Sequence, residues 1–287
     1  MNRILERYVL TEGVTELVIE SPRIANKRRA GQFVVVKMHE MGERIPLTIA
    51  DANPAQGTIT LIFQEVGKST FELGRLPIGY ELMDVVGPLG KPTHIDKFGT
   101  VVCVGGGIGV APVYPIASAM KDAGNQVIGI IGARSKNLLI MEERMRKATH
   151  GLMISTDDGS YGYHGFVTGV LEQVVARGNP IDLVVAIGPV PMMSNLCKLT
   201  KKLNLKTLVS LNPIMVDATG MCGACRVTVG GKTKFVCVDG PEFDGHEVDF
   251  VELVKRQRAY LPQERLSWEQ YKGHQKCSEN QEVVHGS

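Results

Sequence analysis

The sequence has little aromatic content and little net charge. Only 6% of its 287 residues are aromatic, with one tryptophan, and 32 basic against 30 acidic side chains leave a formal net charge of +2. So even a balance of charges does not provide the broad basic surface expected of a nucleic-acid binder, and we expect no nucleic-acid partner. A hydrophobic content of 44% excludes a mainly disordered chain and predicts a sizeable core, which we expect to be divided between two domains.

Features of secreted and membrane proteins are also lacking. Residues 1–7 are charged where a signal peptide needs an apolar stretch, which predicts a cytoplasmic protein. Residues 101–120 carry no charge and have the length of a bilayer span. Four glycines and two prolines interrupt that run, which therefore predicts a strand, a tight turn and a helix. We expect no membrane partner.

Cysteine is scarce and unevenly placed. Cys222, Cys225 and Cys237 lie within sixteen residues, whereas Cys103 and Cys197 are isolated, as is Cys277. The cluster favours a metal site over a disulfide framework, which is typical of smaller secreted chains. We expect Cys103 to be a small buried hydrophobe and the other two isolated cysteines to have no role.

The pattern of apolar residues changes along the chain. β-rich runs at 32–37, 58–64 and 81–86 predict a small antiparallel barrel or sandwich. After residue 98, strands alternate with helices, which predicts a doubly wound parallel sheet. The expected strands are 100–104, 126–132, 152–156, 183–187 and 206–210, and the expected helices are 111–122, 138–149, 168–177 and 191–202.

The chain is predicted to divide into four units. They are residues 1–95, 96–210, 211–247 and a C-terminal helix and tail, 248–287. Within the third unit, runs 225–229 and 234–238 predict a hairpin.

A glycine-rich segment, 105–112, follows the first strand of the predicted parallel sheet. Glycines let backbone N–H groups approach a pyrophosphate, and the start of the next helix adds partial positive charge. Gly107 and Gly109 match the first two glycines of G-x-G-x-x-G, but Pro112 stands at the third, so an ordinary Rossmann NAD site is not established. A turn required only by the strand-to-helix geometry is the alternative.

The cysteine cluster has the spacing of a plant-type [2Fe-2S] site, C-x4-C-x2-C with a more distant cysteine. If Cys222 and Cys225 are the second and third ligands, the first falls on Asp217, whose carboxylate can serve as an anionic donor. We therefore predict Asp217, Cys222, Cys225 and Cys237 as ligands, with Thr219 a poorer donor. Structural zinc on the same residues is an alternative. A redox-active Cys222/Cys225 pair is less consistent with the expected local structure.

Loops of the β-rich unit offer a further set of polar groups. Arg44 supplies a fork of donors, and Ser69 and Thr70 supply hydroxyls that could hold phosphates. Surface arginines and Gly-Ser turns are common, so a purely structural role is the alternative.

Together, these signals resemble the ferredoxin-NADP reductase superfamily. The nearest branch holds the electron-transfer subunit of dihydroorotate dehydrogenase and the small subunit of NADH-dependent reduced ferredoxin:NADP oxidoreductase, also called sulfide dehydrogenase subunit beta. Residues 42–51, 157–162 and 210–225 carry this resemblance, which extends over about residues 3–260.

The resemblance implies an FAD-binding β-barrel at 1–95, an NAD(P)-binding α/β domain at 96–210 and a [2Fe-2S] subdomain at 211–247. The implied FAD residues are Arg44, Ile45, Pro46, Leu47, Thr48, Ile62, Phe63, Gln64, Gly67, Lys68, Ser69 and Thr70. The implied nucleotide residues are Gly106, Gly107, Ile108, Gly109, Pro112, Arg134, Asp158, Gly188 and Pro189. The chain departs from the family pattern at three positions: its arginine stands one residue early at Arg44, Leu47 replaces a frequent aromatic, and Ile187 replaces a frequent cysteine.

Residue chemistry and resemblance disagree on the nucleotide. Residues 132–136 contain cations and no acid, which favours NADP(H), whereas the resemblance favours NAD(H), which we expect. The implied function is an electron-transfer subunit of a flavin-based bifurcating enzyme. It passes hydride between NAD(H) and FAD and single electrons between FAD and [2Fe-2S], with no catalytic side chain.

The resemblance also implies a larger partner subunit with another flavin and [4Fe-4S] clusters, and ferredoxin as a partner of the complex. Residues 248–271 are the candidate docking element, with a solvated surface helix as the alternative. Two other functions stay open: electron transfer in dihydroorotate oxidation, which four cysteine ligands would have favoured, and a zinc-stabilised binding module without redox activity.

Overall fold

The computed structural model describes the backbone of residues 2–284 and the side chains of residues 2–272. Cys277 lies outside the described side chains. The first part of the chain contains β1 (Ile4–Thr11), β2 (Val14–Glu20), α1 (Pro22–Lys27), β3 (Phe33–Lys37), β4 (Arg44–Asn53), β5 (Thr58–Gln64), α2 (Lys68–Leu73) and β6 (Asp84–Leu89).

These six strands form a barrel-like antiparallel sheet in the order β1-β2-β5-β4-β3-β6. Side chains alternate along β4, so Ile45 and Leu47 are buried among the apolar residues of the interior. An isolated β-bridge between Arg3 and Glu81 joins the start of β1 to the segment before β6. This bridge brings the two edges of the sheet together, as the predicted barrel requires.

The second part is a seven-stranded sheet in the order β10-β9-β8-β7-β11-β12-β15. All its strand pairs are parallel except β12 with β15. Helices α3 and α4 cover one face, and α5 and α6 cover the other, so the predicted doubly wound sheet is confirmed. The elements are β7 (Thr100–Gly106), α3 (Val110–Asp122), β8 (Gln126–Ala133), α4 (Glu142–Ala148), β9 (Gly151–Thr156), β10 (Tyr163–His164), α5 (Val167–Ala176), β11 (Leu183–Ile187), α6 (Val190–Lys202), β12 (Thr207–Ser210) and β15 (Glu242–Asp244).

Some local predictions need correction. The helix expected at 138–149 begins only at Glu142, because Lys136–Leu138 forms a separate 3-10 turn. The hairpin is present as β13 (Arg226–Val229) and β14 (Lys232–Phe235). Its second strand is shorter than the predicted 234–238, because α7 (Val236–Asp239) follows and carries Cys237.

The C-terminal region, expected to be one helix, contains two. They are α8 (Phe250–Gln257) and α9 (Leu261–Val284). None of the helices described between residues 2 and 284 has both the length and the apolar character of a membrane span.

Candidate cofactor sites

The predicted nucleotide residues meet at the carboxyl edge of the parallel sheet. Gly106 ends β7, Gly188 follows β11, and the strand order reverses between these two strands. Such a reversal is where open α/β sheets bind ligands. The backbones approach closely here, since a Cβ on Gly109 would lie 2.2 Å from the carbonyl oxygen of Ile187. Gly109 is therefore required by packing between the turn and β11.

Gly107 differs from its neighbours because it faces open space. Its φ is +54°, and no described atom lies within 4 Å of the position a Cβ would take. This combination leaves a backbone cradle that a side chain would fill, which fits a pyrophosphate. Pro112 lies in the first turn of α3, where its missing N–H breaks no intrahelical bond. The proline at the third motif position is thus compatible with the helix.

The loops after β8 and β9 are joined by hydrogen bonds. The backbone N–H of Asp158 donates to the carbonyl of Arg134 at 3.1 Å, and that of Lys136 donates to Ser160 Oγ at 2.8 Å. The Ser160 hydroxyl donates to the Asp158 carboxylate at 2.6 Å and lowers its pKa, with help from the Ser160 backbone N–H. The ionised carboxylate of Asp158 therefore lies beside the loop after β8, residues 132–136, which contains no acidic residue of its own. Sequence reasoning included Asp158 but missed this contact.

The predicted flavin residues divide between the two faces of the barrel wall. Ile45, Leu47 and Phe63 point into the barrel interior, so only their main chain can line a site on the outer surface. Ile62 belongs instead to the apolar cluster that includes Val110 and Ala111 at the start of α3. The outer surface of β4 carries Arg44, with Pro46 and Thr48 at alternate positions.

A second predicted flavin segment, Gly67 to Thr70, lies at the start of α2. The Thr70 hydroxyl accepts from the backbone N–H of Gly67 at 3.3 Å. The Ser69 hydroxyl donates to the carboxylate of Glu43, the neighbour of Arg44. The structure therefore brings the two predicted flavin segments to one edge of the barrel, with Lys68 exposed beside them.

Two of the predicted cluster ligands are in contact. Cys225 and Cys237 are buried, with their sulfur atoms 3.2 Å apart. Burial, and after it the Cys225 thiol, raises the pKa of Cys237 to about 12. Cys222 is exposed, and the backbone N–H groups of Ala224 and Asp217 lower the pKa of its thiol. The Asp217 carboxylate accepts a hydrogen bond from the hydroxyl of Thr219.

The loop that carries these ligands has an unusual backbone. Ala218, Gly220 and Gly223 all have positive φ, at 63°, 85° and 66°. Left-handed backbone is uncommon for a residue with a side chain, and such outliers cluster at functional sites. This left-handed backbone lies in the loop whose peptide N–H groups, those of Ala224 and Asp217, contact the Cys222 sulfur.

The donors are arranged as pairs. Among the described side chains, no three His, Cys, Asp or Glu residues are placed to share one metal ion. Cys225 lies against Cys237, and the Cys222 thiol accepts a hydrogen bond from the backbone N–H of Asp217. A [2Fe-2S] cluster takes two protein ligands on each iron, so two pairs suit it better than they suit a single zinc ion. Three thiolates and one carboxylate are a donor set that fits this cluster.

Comparisons with known proteins place a cluster-binding domain in the same segment of the chain. Residues 212–249, which contain all four predicted ligands, match the family described as the iron-sulfur cluster binding domain of dihydroorotate dehydrogenase B. The electron transfer subunit homolog of dihydroorotate dehydrogenase B from Thermotoga maritima is 46% identical, covering 94% of this chain and 95% of its own length. The electron transfer subunit from Geobacillus thermodenitrificans is 34% identical, covering 85% and 96%.

Solved structures extend the comparison. A structure of NADH-dependent reduced ferredoxin-NADP oxidoreductase, reported for flavin-based electron bifurcation, matches with a TM-score of 0.90 and 45% identity, covering 94% of this chain and 98% of that chain. The cytochrome P450 reductase GcoB from Amycolatopsis matches with a TM-score of 0.58 at 20% identity, covering 70% and 65%, which supports the fold alone.

The barrel, the doubly wound sheet and the cluster loop define a flavin and iron–sulfur oxidoreductase subunit of the ferredoxin-NADP reductase type. Within that class, the chain belongs to the family of dihydroorotate dehydrogenase B electron transfer subunits and their homologues. The cofactors of this family are FAD, a [2Fe-2S] cluster and NAD(H), and an electron transfer subunit works with a larger catalytic partner.

Proposed function

We propose that the chain is the small subunit of a flavin-based electron-bifurcating NADH-dependent reduced ferredoxin:NADP⁺ oxidoreductase. The observation that carries this proposal is the 45% identity, over almost the whole of both chains, to the structure of that enzyme. Relatives named as dihydroorotate dehydrogenase B electron transfer subunits without qualification are less similar, at 34% and 33% identity. The aspartate at the first ligand position supports the same choice.

When bound, FAD supplies the exchange between two-electron hydride transfer and one-electron transfer. The role of the protein is positional. We assign the pyrophosphate of NAD(H) to the backbone of Gly106–Gly109 and the adenosine ribose to the loops of Arg134 and Asp158. The outer surface of β4 and the start of α2 are assigned to FAD. No described side chain has to act as a general acid or base in this scheme.

For the cluster, we assign Asp217 and Cys222 to one iron and Cys225 and Cys237 to the other. The contact between Cys225 and Cys237 supports the second pair. The position of Asp158 supports NAD(H) over NADP(H), because a fixed carboxylate accepts hydrogen bonds from a ribose diol and repels a 2′-phosphate.

A second candidate is electron transfer from dihydroorotate oxidation to NAD⁺. The names of the curated relatives and the family match over 212–249 favour it. In both cases the partner is a larger subunit. The bifurcating enzyme requires a partner with a flavin and [4Fe-4S] clusters that reduces ferredoxin, whereas the alternative requires a partner that oxidises dihydroorotate.

Anaerobic co-purification from the native source tests these proposals. We expect the visible absorbance of a bound flavin, iron in this chain, and a partner whose complex couples NADH and reduced ferredoxin to NADP⁺ reduction. A complex that reduces NAD⁺ with dihydroorotate and is inactive with ferredoxin would establish the alternative. Protein that binds zinc but neither flavin nor iron would exclude both.

A further inference from the structure

Helix α8 is attached to the cluster subdomain by its side chains. The Glu252 carboxylate accepts from the backbone N–H of Thr228 at 3.1 Å. The Arg256 guanidinium donates to the carbonyl of Ala224 at 3.0 Å. Leu253 is fully buried in the apolar cluster that contains Cys225 and Cys237. This helix follows directly after the family match at 212–249 and closes the cluster subdomain.

Among the hydrogen bonds described for α8, the one made by Arg256 lies nearest in sequence to the predicted ligands. Ala224 lies between Cys222 and Cys225, and its carbonyl belongs to the peptide bond that leads into Cys225. Arg226 donates to the preceding carbonyl, that of Gly223, at 3.2 Å. Two guanidinium groups therefore hold the carbonyls of the Cys-x-x-Cys loop, while the N–H of Ala224 points to the Cys222 thiol.

The Glu252 carboxylate, one turn earlier on α8, accepts from the backbone N–H of Thr228 and forms no ion pair with the Arg256 guanidinium. Among the described side chains, no carboxylate forms an ion pair with Arg256. Its Nε atom is buried and has no hydrogen-bond partner in the same set. A partly buried guanidinium without a direct ion pair is stabilised by an anionic group that binds nearby. A cluster with four anionic protein ligands is such a group.

We propose that Arg256 is a positioning residue for the iron–sulfur cluster, which fixes the Cys222–Cys225 loop and raises the reduction potential of the cluster. The inference rests on the proposed function. One-electron reduction of the cluster, by the electron that the flavin delivers, adds one negative charge to it. A nearby fixed positive charge stabilises that product more than the oxidised state. Hydrogen bonding and net charge around the cluster tune potentials in this way.

The test is an anaerobic redox titration of the full chain, monitored by EPR of the reduced cluster, together with iron content. Arg256→Gln removes the charge and keeps a donor, and Arg256→Lys keeps the charge. Lys255→Gln is the matched control, because Lys255 is exposed on the same helix and loses the same charge. We expect Arg256→Gln to lower the equilibrium constant for reduction about tenfold, which is about 59 mV towards negative potential.

Arg256→Lys should retain most of the wild-type potential, and Lys255→Gln should retain all of it. An unchanged potential in iron-loaded Arg256→Gln overturns the inference, as does an equal shift in Lys255→Gln. If Arg256→Gln loses its iron, retention of iron in Arg256→Lys supports the inference, and loss of iron in both variants overturns it. Absence of iron from the wild-type protein would instead contradict the proposed function.

Discussion

The sulfur atoms of Cys225 and Cys237 lie 3.2 Å apart, although twelve residues separate them in sequence. The hairpin of β13 and β14 accounts for this contact, because it pairs Arg226, which follows Cys225, with Phe235, which lies two residues before Cys237. Helix α7 then begins at Val236 and directs Cys237 towards Cys225. The hairpin turn is therefore a structural requirement of the predicted cluster site.

Asp217 is the predicted ligand that a cysteine count does not find. We expect Asp217→Ala to lose iron, because the remaining three thiolates leave one iron with a single protein ligand. Glu247→Ala is the matched control, since it removes an exposed carboxylate from the same subdomain. Iron per protein in the purified variants is the measurement. Full iron content in Asp217→Ala would remove Asp217 from the ligand set.

Gly107 should be required for nucleotide binding. Gly107→Ala places a methyl group in the open cradle, and we expect it to weaken NADH binding about tenfold or more. Gly124→Ala is the control, because Gly124 also has positive φ, +83°, and no described atom within 4 Å of its Cβ position. Both changes should destabilise the fold by about 1 kcal/mol through left-handed alanine. The measurement is the Kd for NADH, and equal values for the two variants would contradict the assignment.

Asp158 should discriminate against NADPH. We expect Asp158→Asn to raise the ratio of kcat/KM for NADPH over NADH about tenfold, which corresponds to about 1.4 kcal/mol. The physical reason is the loss of repulsion towards the 2′-phosphate, which leaves the cations of the β8 loop to attract it. Asp122→Asn, at the exposed end of α3, is a control for net charge. Steady-state flavin reduction with both nucleotides measures the ratio, and an unchanged ratio would show that specificity lies elsewhere.

Periodicity predicted the elements of the parallel sheet well, because its strands are buried apolar runs between turn residues. The predicted strand 183–187 coincides with β11 of this sheet, and in the barrel the predicted strand 58–64 coincides with β5. Contacts across long sequence separations were not predictable from local pattern. The ion pair of Glu16 with Arg144, at 2.8 Å, joins the barrel to α4 across 128 residues.

The site shows the same limit. Spacing predicted all four candidate ligands, which stay predictions, because ligand spacing is a local property of the chain. The placement of Asp158 beside the β8 loop depends on the pairing of β8 with β9. A search of the sequence near Arg134 could therefore not find it.

Glu242 should make stability depend on pH. It lies on β15, its carboxylate hydrogen-bonds to the hydroxyl of Thr93 between barrel and sheet, and burial raises its pKa to about 7. A carboxyl group whose pKa rises on folding binds its proton more tightly in the folded state. Its stabilising effect is therefore complete below the pKa of the unfolded chain and is lost as the pH rises towards 7.

Glu242→Gln keeps a neutral hydrogen-bonding group at this position under all conditions. We expect the variant to be more stable than the wild type by about 2 kcal/mol at pH 8, because the variant avoids burying an ionised carboxylate. Below about pH 4.5 the wild-type carboxyl group is protonated in the folded state, and the two proteins should be equally stable. Thermal unfolding of both proteins at pH 4.5, 6 and 8 measures the difference. Glu247→Gln, an exposed carboxylate beyond β15, should show no such trend. A constant difference between Glu242→Gln and wild type across this range would mean that Glu242 does not titrate within it.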